Sequence, residues 1–336
     1  MLHVRALEGT NAQTLLVTGC AGFIGARVCE LLLAAGHSVA GLDSLNDAYD
    51  VRLKQWRLAR LLNQAGFQFH QLDIAERSAL KEAALDHLTI DAVINLAARA
   101  GVRYSVENPW VYYETNTIGT LNLLEFCRAR GIGKFVLASS SSLYGEDSPQ
   151  PFCEDANTDH PLSPYAASKK AAETLCYSYH ALYDLDVTVF RYFTVYGPAG
   201  RPDMMPFRLV QWISESRPVT VYGDGMQSRD FTYVDDIARG TIAGLRPLGY
   251  EIVNLGSDRP AKLIGLIQMV EEQVGREARL EHRPRHPADV TATWADISKA
   301  RRLLDWQPET ALHDGIARLV AWYRRERDWA KDINTA

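Results

Sequence analysis

The chain has 336 residues, which at about 150 residues per domain predicts two domains or one large α/β unit with an appended lobe. Its 47% hydrophobic and 23% charged residues are typical of a globular protein and exclude a mainly disordered chain. The net charge of −5 argues against a dedicated nucleic-acid-binding protein, which needs a basic face to collect phosphates.

The N-terminal region contains a stretch that could be mistaken for a signal peptide. Residues 9–26 carry no charge and include Val17-Thr18-Gly19-Cys20, but polar residues interrupt the stretch and only Arg5 supplies a basic start. Its three glycines leave the stretch too weakly apolar to span a membrane. We interpret it as a buried strand followed by a turn, and we expect no membrane partner.

The cysteines indicate a reducing compartment. The chain has five cysteines, Cys20, Cys29, Cys127, Cys153 and Cys176. Their number is odd, and they show neither CxxC spacing nor a metal-ligand grouping. We therefore expect free thiols in a cytoplasmic protein, and no bound metal.

Short apolar runs alternate with helical patterns along the first part of the chain. The predicted strands are Leu15–Thr18, Ser38–Leu42, Phe67–His70, Ala92–Leu96, Lys134–Ser139 and Val187–Tyr192. The predicted helices cover residues 23–35, 51–65, 76–86, 110–129 and 164–183. Within the second helix, Arg52, Lys54, Arg57 and Arg60 are expected to form a solvated face. Repeated alternation of this kind predicts an α/β fold, a Rossmann-type doubly wound parallel sheet with right-handed crossovers.

The alternation changes after Gly197. Short strands at Val219–Val221 and Ile252–Leu255 are mixed with short helices and with a Pro/Arg/His stretch at 282–287. This pattern predicts a smaller C-terminal α/β lobe on the carboxyl edge of the sheet, where open α/β sheets bind ligands. We assign residues 12–195 to the Rossmann domain and residues 196–330 mainly to the substrate-binding lobe; whether later segments return to the first domain stays open.

A glycine motif follows the first strand and opens the first helix. Gly19 permits a tight turn, Gly22 lets backbone N–H groups approach a pyrophosphate, and Gly25 allows close packing of helix on strand. Asp43 ends the second strand and can accept hydrogen bonds from both hydroxyls of an adenosine ribose. No Arg follows at 44–46 to neutralise a 2′-phosphate, so NAD is favoured over NADP. A purely structural glycine turn is the alternative, which Asp43 disfavours.

Further cofactor contacts are expected along the same edge of the sheet. Asp73 and Ile74 follow the third strand and are placed to meet the adenine. The other candidates lie beside the glycines and at the end of the fourth strand: Phe23, Ile24, Leu96, Ala97 and Ala98.

A tyrosine and a lysine lie four residues apart, on one face of a predicted helix. Tyr165 and Lys169 would meet Ser140, which lies in a serine run at the end of the fifth strand. Lowering the pKa of a tyrosine from about 10 to about 7 requires about 4 kcal/mol. One cation at about 4 Å supplies about that amount at an effective dielectric constant of about 20. We therefore predict that Tyr165 removes a hydroxyl proton while NAD takes hydride, with Lys169 and Ser140 assisting; surface packing is the alternative for the Tyr–Lys pair alone.

Together these motifs resemble the extended short-chain dehydrogenases that act on nucleotide sugars. Residues 45–53, 97–105 and 191–203 are most similar to the UDP-glucuronate 4-epimerases of that family. The resemblance implies reversible C4 epimerisation of UDP-glucuronate to UDP-galacturonate through a 4-keto intermediate, with tightly bound NAD. It also implies a homodimer, because the helices near 110–129 and 164–183 resemble the pair through which relatives dimerise.

The resemblance also implies substrate contacts. The uronate carboxylate would be held by Ser141, Ser142, Thr194 and Arg201. Arg229 matches the family position on the diphosphate, and the backbone near Val219 together with Asp289 matches positions around uracil and ribose.

Three other functions stay open. A UDP-glucose/galactose 4-epimerase would use the same chemistry on a neutral sugar. A dehydratase or decarboxylase is disfavoured, because Ser141 and Ser142 stand where dehydratase relatives carry an Asp-Glu pair. A non-catalytic NAD sensor is disfavoured by the joint presence of Tyr165, Lys169 and Ser140.

Overall fold

The computed structural model describes residues 12–82, 85–146, 148–284 and 290–335. Its strands are β1 (Thr14–Thr18), β2 (Ser38–Asp43), β3 (Phe67–Gln71), β4 (Ala92–Asn95), β5 (Lys134–Ser140), β6 (Asp186–Tyr192), β7 (Thr194–Tyr196), β8 (Val219–Tyr222), β9 (Ser228–Tyr233), β10 (Tyr250–Leu255), β11 (Pro260–Lys262) and β12 (Leu280–Arg283). Its α-helices are α1 (Phe23–Ala34), α2 (Val51–Leu62), α3 (Ala79–Glu82), α4 (Val102–Glu107), α5 (Trp110–Tyr112), α6 (Gly119–Arg130), α7 (Pro164–Tyr183), α8 (Met205–Ser214), α9 (Val234–Ala243), α10 (Leu263–Val274), α11 (Ser298–Leu304) and α12 (Leu312–Ala330).

Seven parallel strands form the central sheet, in the order β10-β6-β5-β4-β1-β2-β3. β4 and β5 are buried along their whole length, as expected for strands covered by helices on both faces. The chain leaves β1 toward β2 and later returns to β4 on the other side of β1, so a crevice opens between these strands at their carboxyl ends. The predicted fold class is confirmed.

A second lobe follows β6. Its strands pair as β11-β9-β7 and as β12-β8, and α8, α10 and α12 pack around a separate apolar core that includes Phe207, Leu266 and Ile316. Phe23 at the start of α1 belongs to the same core. The lobe is therefore anchored against the helix that follows the glycine motif.

One predicted strand of the second lobe belongs to the central sheet instead. β10 pairs in parallel with β6, with Ile252 opposite Val189 and Leu255 opposite Tyr192. The chain reaches this position through α9, which packs on α1 and is joined to it by the Arg27–Asp235 ion pair at 2.7 Å. The sequence analysis grouped Ile252–Leu255 with the second lobe and left open a return of later segments to the first domain; β10 is such a segment. The division of the chain at residue 195 stays a prediction.

Two predicted helices differ from the structure. Within the predicted helix at 76–86, only Ala79–Glu82 is helical among the described residues, because the Asp73 carboxylate accepts from the Ala75 N–H and starts a series of turns. The predicted helix at 110–129 is interrupted by a π-helical stretch, Tyr113–Ile118. Asn116 lies in this stretch, and its side-chain amide hydrogen-bonds both the N–H and the carbonyl of Arg99.

Candidate active site

The glycine motif forms a turn with no room for side chains. Gly19 has φ +69°, and a Cβ there would lie 2.7 Å from the Ala97 nitrogen. A Cβ on Gly25 would lie 2.0 Å from the Gly19 carbonyl oxygen. Gly22 is the N-cap of α1 and provides no side-chain cap, so the first N–H groups of the helix are open to an anion such as a diphosphate.

Asp43 lies at the carboxyl end of β2, next to this turn. Its two carboxylate oxygens accept from the Ala21 N–H at 3.1 Å and the Leu45 N–H at 2.8 Å. The Lys54 ammonium is 3.6 Å away and also donates to the side chain of Asn46 at 3.0 Å. The carboxylate is therefore held in a fixed orientation at the place where a ribose would bind.

The sequence prediction for α2 is wrong at two positions. Lys54 is 5% and Arg57 is 3% exposed, so these residues face the interior and not solvent. Lys54 and Asn46 both line the cleft described next, and neither was predicted to do so. The available signal was the helical spacing of Leu53, Arg57 and Leu61, which places the arginine on the apolar face of the helix.

A cleft of about 310 Å³ runs along the carboxyl edge of the sheet. It brings together all the predicted catalytic and cofactor residues, namely Gly19, Gly22, Phe23, Ile24, Gly25, Asp43, Asp73, Ile74, Leu96, Ala97, Ala98, Ser140, Tyr165 and Lys169. Of the predicted substrate residues, it includes Ser141, Ser142, Thr194 and Arg201. Residues from six different strand ends thus share one cavity, while their individual roles stay predictions.

Tyr165 and Lys169 are positioned by the start of α7. Ser163 caps the helix by accepting from the Ala166 N–H at 3.2 Å, and Pro164 occupies the first turn. The Lys169 ammonium donates to the Ala138 carbonyl of β5 at 2.9 Å. Tyr165 lines the same cleft as Ser140, at the end of that strand, and the Ser140 hydroxyl acts to lower the pKa of the phenol. The three side chains therefore meet between one helix and one strand end.

Burial governs the protonation of this group. It raises the pKa of Tyr165, against the lowering effects of the Ser140 hydroxyl and of the nearby Arg201. Burial also lowers the pKa of Lys169 to about 8, while Glu173 acts to raise it. The expected lowering of the Tyr165 pKa by Lys169 stays a prediction.

A buried ion pair lies behind the catalytic residues. Glu173 accepts from the Ser139 hydroxyl at 2.6 Å and from the Arg191 guanidinium at 2.9 Å. The Arg191 side chain is almost fully buried and also stacks on Tyr144. Sequence reasoning missed this pair, although Glu173 lies one helical turn beyond Lys169. It fixes the serine run against α7.

Asn116 is a second residue that the sequence did not reveal. Its side-chain amide donates to the Ser168 hydroxyl at 2.9 Å, and that hydroxyl donates to the Tyr165 carbonyl. Because Asn116 also bonds the backbone of Arg99, it joins the loop after β4 to the first turn of α7. An asparagine inside a predicted helix was the available signal, since this residue disfavours helix interiors.

Arg201 already has an acidic partner. Its Nε and Nη2 groups donate to the Asp203 carboxylate at 3.0 and 2.6 Å, and Nη2 also donates to the Ala100 carbonyl at 3.1 Å. Its guanidinium carbon lies 5.6 Å from the centre of the Tyr49 ring. Nη1 is outside the Asp203 pair, so it is the group left to meet a bound carboxylate.

Two of the predicted nucleotide contacts, Arg229 and Val219, lie outside the residues that line the cleft. Arg229 is on β9 and donates to the Ser228 carbonyl at 2.8 Å. Val219 begins β8 and is fully buried, so it can offer only its backbone. Asp289 lies outside the described residues. The roles of all three stay predictions.

The part of the chain that the structure describes contains neither a metal-ligand cluster nor a membrane-spanning helix. Across the described ranges, no three His, Cys, Asp or Glu side chains are grouped as metal ligands would be. In the same part of the chain, none of the helices has the length and apolarity needed to span a bilayer. The cytoplasmic location inferred from the cysteines stays a prediction.

Comparison with known proteins gives consistent matches. A sequence model of the NAD dependent epimerase/dehydratase family matches residues 15–256. The chain is 56% identical over 319 residues to the UDP-glucuronate 4-epimerase of Thermodesulfobacterium geofontis, covering 95% of this chain and 98% of that protein. It is similar to the crystal structure of UDP-glucuronic acid 4-epimerase from Bacillus cereus with UDP-glucuronic acid and NAD, with a TM-score of 0.86, 38% identity and coverage of 93% and 99%. The Thermotoga maritima UDP-glucose 4-epimerase with UDP-glucose gives a TM-score of 0.85 at 29% identity, with coverage of 94% and 99%.

Proposed function

The chain belongs to the NAD dependent epimerase/dehydratase family, and on that premise we propose that it is an NAD-dependent UDP-glucuronate 4-epimerase. It interconverts UDP-glucuronate and UDP-galacturonate by inverting the configuration at C4. The observation that carries the proposal is the meeting of Tyr165, Lys169 and Ser140 with the glycine turn in one cleft. The choice of UDP-glucuronate as the substrate rests on the 56% identity of this chain to a UDP-glucuronate 4-epimerase.

The cofactor site fits NAD. The uncapped start of α1 suits the diphosphate, Asp43 is oriented to accept from the ribose hydroxyls, and Asp73 and Ile74 lie where the adenine would be. When bound, NAD accepts hydride from C4 of the sugar and returns it to the opposite face, so it is not consumed.

Tyr165 acts as the general base toward the hydroxyl on C4. Its phenol shares the cleft with the Ser140 hydroxyl, which is positioned by accepting from the Ser142 N–H at 3.1 Å. Oxidation of the alcohol releases this proton to Tyr165, and reduction of the ketone takes the proton back. Lys169 supplies positive charge beneath the base and is fixed by the Ala138 carbonyl.

The carboxylate of the sugar creates a hazard that the site must control. Oxidation at C4 gives a β-keto acid, which loses CO₂ when the bond to the carboxylate aligns with the ketone. We assign Nη1 of Arg201 and the hydroxyls of Thr194, Ser141 and Ser142 to hold the carboxylate out of that alignment. Because serines replace the acidic pair of dehydratases, no side chain at these two positions can remove a C5 proton.

The nucleotide end of the substrate extends into the second lobe. We assign Arg229 to the diphosphate, and the backbone near Val219 together with Asp289 to the uridine. Arg229 is carried by β9, which is paired on both sides by β7 and β11.

We also propose that the protein is a homodimer. Large apolar side chains are exposed on two adjacent segments, which we call the helical patch: Trp110, Tyr113, Ile118, Tyr177, Leu182 and Tyr183. They lie along residues 110–118 and along α7, and Trp110 is 75% exposed. α6 packs on α7, so two copies of this pair would form a four-helix contact that covers the patch.

The proposed activity is tested by incubating the purified protein with UDP-glucuronate and following the products by NMR. We expect UDP-galacturonate to form without added NAD, and we expect Tyr165→Phe to lower kcat by about 10²- to 10⁴-fold. Preferential turnover of UDP-glucose would indicate the neutral-sugar epimerase. Release of CO₂ as the main event would indicate a decarboxylase, and an unchanged rate in the variant would contradict the assigned chemistry.

A further inference from the structure

Arg57 is a buried cation whose hydrogen-bond partners, among the residues that the structure describes, are all neutral. Its guanidinium donates to the Ala199 carbonyl at 2.6 and 3.1 Å, to the Ala21 carbonyl at 3.1 Å and to the Gly200 carbonyl at 3.4 Å. Its fifth hydrogen bond goes to the Tyr49 hydroxyl at 2.8 Å. Burying a charged guanidinium without a counter-charge is costly.

These contacts join the glycine turn to the segment that carries Arg201. Ala21 lies inside the glycine turn, while Ala199 and Gly200 immediately precede Arg201 in the chain. Ala199 has φ +50°, a left-handed conformation that is unfavourable for a residue with a Cβ. The two hydrogen bonds from Arg57 to its carbonyl hold the chain in this conformation.

Tyr49 provides a second connection between the two arginines. Its ring centre lies 5.6 Å from the guanidinium carbon of Arg57 and 5.6 Å from that of Arg201. The hydroxyl of the same ring accepts from Arg57. Rotation or displacement of Tyr49 would therefore change the position of Arg201 in the cleft.

We propose that Arg57 is a positioning residue that sets the preference for a uronate over a neutral sugar. It fixes Arg201 through the Ala199–Gly200 turn and through Tyr49, and its own charge adds to the positive potential of the cleft. The cost of burying this charge is offset when the anionic groups of the substrate and cofactor bind. This inference rests on the proposed function, in which Arg201 meets the sugar carboxylate.

The test measures binding of two sugars that differ only at C6. Dissociation constants of UDP-glucuronate and UDP-glucose are measured by calorimetry on the NAD-loaded Tyr165→Phe protein, in which turnover is slowed by about 10²- to 10⁴-fold. Arg57→Lys and Tyr49→Phe are added separately to this background. The lysine keeps the charge but cannot form the forked contacts, and the phenylalanine keeps the ring but removes the acceptor.

The control is Arg60→Lys. Arg60 lies on the same helix, its side chain is 53% exposed, and its ion-pair partner is the partly buried Glu30. We expect each test variant to weaken UDP-glucuronate binding by about tenfold or more while UDP-glucose binding changes less than about twofold. The control should leave both constants unchanged.

Equal weakening for both sugars in the test variants, or no change for either, would overturn the inference. If Arg57→Lys does not fold, Tyr49→Phe decides by the same ratio. Turnover of UDP-glucuronate by the unmodified protein is measured separately. Its absence would contradict the proposed function, whereas the binding ratio tests Arg57 independently of turnover.

Discussion

Lys169 is a buried amine whose hydrogen-bond partner is a backbone carbonyl. It is 4% exposed and donates to Ala138. The Glu173 carboxylate acts to raise its pKa, but burial is the larger effect and lowers that pKa from 10.5 to about 8. The folded protein therefore holds this proton less tightly than the unfolded chain does.

This difference predicts a pH dependence of stability. Between the two pKa values the unfolded chain binds more protons than the folded protein. The contribution of Lys169 to the free energy of unfolding is therefore complete above the pKa of the unfolded chain, and it is lost as the pH falls through the pKa of the folded protein. Relative to Lys169→Met, we expect the free energy of unfolding of the unmodified protein to rise by about 2 kcal/mol from about pH 7.5 to about pH 9.5. Urea unfolding at both pH values measures it, and a constant difference between the proteins would contradict the expectation.

At the residue scale, local motifs could be predicted and long-range partners could not. Gly19, Asp43 and Tyr165 are recognisable because the residues that define their roles are close in sequence or follow predicted strands. Arg57 looked like a surface cation because its main acceptor is the Ala199 carbonyl, 142 residues away. A sequence shows the charge of a side chain, but only the fold shows what surrounds it.

At the scale of elements, one buried acid organises the second lobe. Asp230 on β9 is 0% exposed, and it accepts from the N–H groups of Ser257, Asp258 and Ala295 at 2.5, 3.1 and 3.1 Å. It thereby ties the strand that carries Arg229 to the loops after β10 and before α11. Burial raises the pKa of this carboxyl, against the lowering effect of the hydrogen bonds from Ser257 and Ala295.

We expect Asp230→Asn to destabilise the protein by about 3 kcal/mol, because an amide N–H₂ would face backbone donors in place of an acceptor. The free energy of unfolding measures the loss, and the KM for UDP-glucuronate should rise as β9 loosens. Asp224→Asn is the control, since this exposed residue accepts one local bond from the Met226 N–H. An Asp230→Asn protein as stable as the control would refute the assignment.

The elements themselves followed from hydrophobic pattern where the pattern was strong. β1, β5 and α7 are buried or amphipathic along most of their length, and their predicted positions agree with the structure. The π-helical stretch could not be foreseen, because it depends on the bonds between Asn116 and Arg99. The sheet position of β10 could not be foreseen either, because a short apolar run does not specify its neighbour.

At the scale of the whole molecule, the helical patch predicts the oligomeric state. Sedimentation should give a mass of about twice the 37.6 kDa of the chain. Ile118→Glu, which places a charge in the patch, should shift the protein toward monomer. Leu62→Glu is the matched control, because Leu62 is 56% exposed on α2 and does not belong to the patch. A monomeric unmodified protein would contradict the homodimer.

The position of β10 has a consequence for how the protein is made. β6 is complete by residue 192, yet its outer hydrogen-bonding edge is covered only when residues 250–255 arrive. Until then β6 is an unpaired edge strand of the growing chain, and unpaired edge strands promote aggregation of nascent chains. In a protein truncated near residue 195, the edge of β6 would stay unpaired. We therefore expect the truncated protein to aggregate instead of forming an autonomous dinucleotide-binding domain.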